Sequence, residues 1–398
     1  MRISTLTMYN LSVSSMNQQQ AAFNKVSQQI ASGKRVVSLA DDPQALTQAL
    51  GVRQAQALGE QYASARVGVE NALAQEENAL NSVTDIYSRA KTLLVQASSE
   101  SLADADRSAI ASELTGLYDA LLGVANTRNA DGRYLFGGYQ DDTAPFIKDA
   151  GGAVQFVGSK QVREQQVDGN RRMAMGHNGA EVFSRVHGSA GYGVEAAMEN
   201  QGAARFGTIT INNPDHANFG QAYSIEFVEQ AGELGYSVNG GAVQAYQQPM
   251  QIALDGIELE LSGTPVAGDR FNVAPGDALN TNMFTTFERA IAVLNQPSNT
   301  ESARATRANQ LRSGLQQLDH GLDNVLTTRA EVGARLNELE TLEVMGGTRK
   351  LSQAQTLSDL VDLNYAEASA EYSLRIVGLQ AAQKSFMSIQ DMSLFKLL

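Results

Sequence analysis

Proline and glycine are placed so unevenly along this 398-residue chain that they dictate where helices can run. Of 7 prolines, only Pro43 precedes residue 145 and none follows Pro297; of 35 glycines, 20 fall between residues 151 and 280. Proline removes a backbone donor and clashes with the preceding turn, and glycine loses more backbone freedom in a helix than any other residue. The chain therefore reads as helix, punctuated middle, helix. The expected fold class is α + β: an elongated helical rod, a coiled-coil-like bundle formed by both chain ends, with an inserted antiparallel β-rich middle region. The expected division is a terminal helical coiled-coil domain of residues 1–40 with 350–398, a helical rod domain of 41–130 with 281–349, and a β-rich outer domain of 131–280 holding up to two subdomains.

The apolar period supports helices at both ends. Met16, Phe23, Ile30 and Val37 are seven apart, with Val26 at a second seam position. Leu73, Leu80, Tyr87 and Leu94 repeat likewise with Val83 beside them, and so do Leu311, Leu318, Val325, Val332 and Leu339 with Leu315, Leu322 and Leu336. Heptads sustained over several turns predict long helices packed at shallow angles. The last segment carries a less regular stripe from Leu357 through Tyr372, Ile376, Leu379 and Phe386 to Leu397.

The period switches in the middle. Tyr223, Ile225 and Phe227 alternate with polar residues, and so do Ile257, Leu259 and Leu261, with Glu258 and Glu260 on the other face. Asp255-Gly256 and Gly268-Asp269 read as tight turns beside these strands. "YLFGGY" (134–139), "VQFVG" (154–158) and "EVF" (181–183) also read as strand segments, with a strand ending at Gly137-Gly138 and with Leu135 and Phe136 in the core.

Between the first two helical patterns lies "ASGKRVVSLADDPQAL" (31–46). Gly33 suits the left-handed residue just past a helix end, and Lys34 and Arg35 complement the negative end of its dipole. Asp42 before Pro43 suits an N-cap followed by proline in the first helical turn. Helix break and cap thus account for every residue of the motif. A metal or acid/base role for Asp41 and Asp42 needs converging ligands that the neighbouring sequence does not supply.

Composition narrows the function. The formal net charge is −13, and residues 131–280 hold 18 acids against 9 Lys/Arg, a net of −9, whereas residues 1–40 contain no acid. That balance argues against nucleic acid as a partner and suits a solvated outer surface. Zero cysteines exclude disulfides and thiolate chemistry. No apolar run is long enough to span a membrane, and the N-terminus lacks the apolar core of a cleavable signal peptide. Phosphate-loop, zinc-protease and nucleophile-elbow motifs are absent, and His177, His187, His216 and His320 show no ligand spacing. We expect neither an enzyme, a cofactor nor a metal site.

"QQIASGKRVVSLADDPQAL" resembles the N-terminal signature of bacterial flagellins and their relatives, and "RAEVGARLNELE" (329–340) resembles the matching C-terminal helix. "ANTRNADGRYLFGGYQDDTAPF" (125–146), with its YLFGG and T-x-P-F elements, is similar to the hook-associated protein 3 family of hook–filament junction proteins more than to filament flagellin. "LDGIELELSGTPVAGDRFNV" (254–273) resembles a β motif of hook-associated proteins. The resemblance implies a structural subunit of the bacterial flagellum. It implies a ring of copies between the neighbouring hook-associated junction protein and the first flagellin subunits. It also implies an extracellular location, reached through the flagellar type III apparatus with an export chaperone on the C-terminal helix. On that basis Met16, Phe23, Ile30, Ile376, Leu379 and Phe386 are expected in the assembly interface, and Leu135, Phe136, Gly137 and Gly138 at a joint between rod and β domain. Residues 1–40 and 350–398 are expected to order only on assembly. The alternatives are filament flagellin and a surface adhesin using the β-rich domain, for which a Trp-free acidic surface is a poor glycan platform.

Overall fold

The computed structural model describes residues 5–186, 191–230, 232–248, 250–279, 281–297 and 299–391. His187 and Leu397 lie outside them. Six helices are seen among these residues: α1 (Thr5–Ser32), α2 (Pro43–Ala97), α3 (Asp104–Ala125), α4 (Met283–Leu294), α5 (Glu301–Val361) and α6 (Tyr365–Asp391). The long helices come from both chain ends and the β-rich region lies between them in sequence. None is long and apolar enough to cross a membrane among the described residues. The chain forms two compact units: Met1–Ser64 with Thr341–Leu398, and Ala65–Glu340.

In the larger unit the heptad residues of α2 and α5 become core. Leu73, Leu80, Tyr87, Leu311, Val325 and Val332 are fully buried, while Leu315, Leu322 and Leu336 are half-buried at the seam's flank. The helices run antiparallel, with Gly314 against Leu94, Gly321 against Tyr87, and Arg329 paired with Glu77. Glycine at 321 is needed for the approach: a Cβ there would lie 2.9–3.0 Å from Met283 and Tyr87. The Asn282 side chain caps α4 by accepting the Phe284 amide at 3.0 Å.

Twelve strands are described. β1 (Phe146–Lys148) pairs with β2 (Val154–Phe156), and β3 (Glu164–Asp168) with β4 (Arg171–Ala174). The other eight are β5 (Tyr192–Ala196), β6 (Arg205–Ile211), β7 (Tyr223–Gln230), β8 (Glu233–Val238), β9 (Gln244–Ala245), β10 (Met250–Leu254), β11 (Ile257–Ser262) and β12 (Arg270–Pro275). They form two antiparallel sheets, β10-β11-β6 and β5-β12-β7-β8-β9. Their inner faces share one core, where Phe206, Leu259 and Leu261 meet Ile225, Phe227 and Phe271. The β10–β11 turn places both Asp255 (φ 41) and Gly256 (φ 100) in the left-handed region, the geometry whose twist matches a two-residue hairpin.

Edge strands β5 and β6 would expose unpaired backbone groups. Helix α5 covers both: Gln310 and Ser313 donate to the Ala196 and Val194 carbonyls at 2.9 and 2.8 Å. Asn309 brackets β6, donating to the Ala204 carbonyl at 2.9 Å and accepting the Phe206 amide at 3.2 Å. A buried polar face on α5 is therefore satisfied by sheet backbone rather than by water.

Two strand expectations are corrected. "YLFGGY" is a set of turns bearing a single bridge, Tyr134 to Arg128, and "EVF" lies in a π-helical turn, Ala180–Ser184. In the first, paired glycines let the chain fold back on itself. In the second, the Asn178 side chain accepts the Glu181 amide at 3.1 Å and starts a turn. Only "VQF" of the three is a strand, β2.

Candidate functional site

The smaller unit brings the two chain ends together as an antiparallel helix pair. Tyr9 stacks near Phe386 (5.4 Å between ring centroids) and Phe23 near Tyr372 (5.2 Å). On α1 the seam is Ser12, Met16, Gln19, Phe23, Val26 and Ile30; on α6 it is Ala368, Tyr372, Arg375, Leu379, Ala382 and Phe386, all buried or half-buried. Met16, Phe23, Ile30, Leu379 and Phe386 therefore sit on or along the face that each helix turns to the other, and Ile376 flanks it. Gly378 permits close approach, since a Cβ there would be 3.1 Å from the Gln19 side chain.

The pair buries little. Among described side chains, Val26 is the only one of α1 below a tenth exposed, and Ala368 the only one of α6. A second heptad stripe on α6, Ala370, Leu374, Val377 and Ala381, points the opposite way and is exposed, Leu374 at 70% and Val377 at 64%. Sequence reasoning missed this stripe. The same period that revealed Leu379 and Phe386 also marks Leu374 and Val377, but period alone does not say which stripe meets α1. At the other end of the pair, Met8 and Leu11 are also exposed.

The turns that end these helices are tied to each other. Gly33 has φ +67, and its carbonyl accepts the Leu363 amide at 3.0 Å; the Arg35 amide donates to the Val361 carbonyl at 2.8 Å. Pro43 opens α2, and the Asp42 carboxylate accepts the Ala45 amide at 2.9 Å. That amide, with help from Arg35, holds the Asp42 carboxyl below the usual carboxylate range. Asp41 is pulled to about 2 by its hydrogen bond from Lys25 and then by the Ser38 amide. Both carboxylates are committed to backbone and cation partners in this turn, which leaves a structural role.

In the larger unit Phe136 is fully buried and Leu135 half-buried. Phe136 packs edge-on against Phe183 (5.1 Å), which with Phe146 and Phe284 forms an aromatic cluster. The Phe136 carbonyl accepts the Gly179 amide, and the Gly137 carbonyl accepts the Ser159 amide. A Cβ on Gly137 would lie 2.5 Å from the Gln140 carbonyl oxygen; one on Gly138 (φ +64) would lie 2.4 Å from that of Ser159. Gly138→Ala should therefore cost about 1–3 kcal/mol for backbone conformation alone, and more for the displaced backbone. Gly132→Ala, at φ +80 with open space around it, isolates the first part. Urea unfolding should rank wild type, G132A and G138A in falling order; equal midpoints for the two variants would refute the steric account.

Glu76, His177, Glu331 and Arg335, distant in sequence, also meet in this unit. The buried Glu76 accepts both the His177 amide (2.9 Å) and Nδ1 (2.8 Å), while Nε2 lies 3.1 Å from Glu331, which Arg335 pairs at 3.2 Å. Burial disfavours the imidazolium and Arg335 opposes it, but Glu76 and Glu331 together raise the His177 pKa above its ordinary value. Nothing in the local sequence signalled this contact. Among the described residues no group of His, Asp and Glu is arranged to hold a metal ion.

The molecule thus offers helix faces and a braced β region. A profile of the bacterial flagellin N-terminal helical region matches residues 3–141. Flagellar hook-associated protein 3 of Escherichia coli K12 is 32% identical over 398 residues, covering 100% of this chain and 99% of that protein. The crystal structure of FlgL from Xanthomonas campestris aligns with a TM-score of 0.68 at 28% identity, over 77% of this chain and 99% of that one. The flagellar junction protein FlgL from Legionella pneumophila aligns with a TM-score of 0.66 at 28% identity, over 79% and 100%. The chain belongs to the flagellar hook-associated protein 3 family.

Proposed function

We propose that this chain is a structural subunit of the flagellar hook–filament junction, and that copies of it assemble through their terminal helices. The observation that carries this reading is the unused heptad stripe on α6. Ordering a residue costs about 1–2 kcal/mol of backbone entropy, whereas burying a large apolar side chain returns about 1.5–3 kcal/mol. A pair with so few fully buried side chains is marginal on its own. A second surface must cover Leu374 and Val377, and the occupant we assign is the terminal helix pair of a neighbouring copy. Small residues at 370 and 381 allow close approach, and a second copy offers a matching small-and-apolar face.

In this reading the chain forms a ring between the neighbouring hook-associated junction protein and flagellin. It is exported with a chaperone shielding the C-terminal helix, and acts outside the cell. It carries out no catalytic step and needs no cofactor. Leu135 to Gly138 form a rigid joint, and Met16, Phe23, Ile30, Ile376, Leu379 and Phe386 support assembly by setting the helix pair that presents the outer stripe. The test is the double substitution Leu374→Asp with Val377→Asp. It should abolish junction assembly in motility and electron-microscopy assays. Amide exchange of the dilute variant should match the weak protection expected of wild-type α1 and α6. Normal assembly by the variant, or strong protection of both helices in dilute wild-type protein, would sink the proposal.

A further inference from the structure

A cleft of about 330 Å³ lies between the segment after α2, the start of β6 and the first turns of α5. Among the described residues, Arg205, Arg304, Arg307 and Arg312 line it, and Glu100 is the one carboxylate. In a chain of net charge −13 this is a local excess of three positive charges. Phe206, Leu311 and Leu315 supply apolar wall. Arg312 is fixed, donating to the Phe206 carbonyl with its guanidinium 5.7 Å from the Phe206 ring centroid. Arg205 pairs with Glu100 at 2.5 Å. Arg307 is buried, and Arg107, itself buried and held by Asp104, adds its charge beside it. Desolvation and the guanidiniums of Arg107, Arg205 and Arg304 push the Arg307 pKa below its ordinary value, with Glu100 opposing.

Guanidinium groups that converge on a partly desolvated cavity favour an anion between them. Guanidinium groups present paired N–H donors that match carboxylate and phosphate oxygens. The volume is that of a small-molecule pocket, with apolar wall and a few convergent polar groups. We propose that this cleft binds a small organic anion carrying at least two carboxylate or phosphate groups. Arg304 and Arg205 grip it at the mouth, Arg307 and Arg312 face it from α5, and Glu100 weakens the grip by competing for Arg205.

Calorimetric titration of the full chain with citrate and with pyrophosphate, at constant ionic strength, tests this. Saturable binding of either probe at one site per chain is expected. Arg304→Gln should weaken it about tenfold, the worth of one lost charged hydrogen bond. Arg205→Gln should also weaken it, Glu100→Gln should tighten it several-fold, and Arg53→Gln, far away in sequence, should leave it unchanged. The unfolding midpoint of each variant establishes that it is folded. No saturable binding, an unaltered affinity in R304Q, or an unaltered or weaker affinity in E100Q would overturn the proposal. So would citrate breaking up a self-associated species, because the anion would then be a carboxylate of a second copy.

Discussion

A chain ending at Asn364, and so lacking α6, should fail completely to build a junction while its 65–340 unit stays folded. Removing α6 removes the partner of Met16, Phe23 and Ile30 and the exposed stripe of Leu374 and Val377 in one step. Helix α1 would retain its amphipathic face with nothing to cover it, and a lone helix of 28 residues with Gln, Ser and Ala at 13 of them is marginal in water. The larger unit has its own core in the α2–α5 heptads, the aromatic cluster around Phe183 and the two-sheet sandwich. Expression in a strain lacking its own junction protein should therefore give immotile cells that shed filament subunits. Circular dichroism of the purified truncation should lose helix yet keep one cooperative unfolding transition. Motile cells would rule out the role given to α6, and loss of the transition would show that the larger unit depends on it.

Glu76→Ala should destabilise the larger unit by about 3–5 kcal/mol, the range for removing one partner of a buried pair. It leaves the His177 amide and imidazole facing a cavity where two hydrogen bonds had ended. The pH dependence carries a sign. The folded-state pKa of His177 is raised, so the charged contact stabilises fully below the unfolded histidine value, near 6.5, and this part is lost as pH rises through the higher folded value. The groups facing the imidazole are Glu76 from α2 and Glu331 and Arg335 from α5. Urea midpoints of the wild type should fall between pH 6 and pH 8.5 by more than those of Glu76→Gln, which keeps the shape and removes the charge. Identical pH profiles for the wild type and E76Q would eliminate the linkage.

Some of this architecture was legible in the residues alone. The heptads at 73–94 and 311–339 each have one dominant apolar face, so the face that repeats is the face that is buried. Asp255-Gly256 announced a hairpin because few residues tolerate the left-handed geometry that both adopt there. Charge, missing motifs and the flagellin-like end signatures pointed to a structural flagellar protein, and relatedness over the whole length places the chain in that family. The misread segments share a cause. Leu135, Phe136, Val182 and Phe183 look like strand residues because they are apolar, yet Phe136 and Phe183 are apolar to fill the aromatic cluster, and the backbone here is set by Gly137, Gly138 and Asn178.

What the sequence by itself determined was the local period: where helices run, where the chain turns, and which residues want to leave water. Such preferences act between residues a few positions apart, so they are written in adjacent letters. Only the tertiary structure decided which of two equally periodic stripes on α6 meets α1, that α5 seals the edges of both sheets, and that His177 meets Glu76, 101 positions before it, and Glu331, 154 positions after it. The arginines of the cleft likewise come from residues 205 and 304–312. Those pairings arise from packing the whole chain at once, where shape and charge are matched between segments with no common local signal.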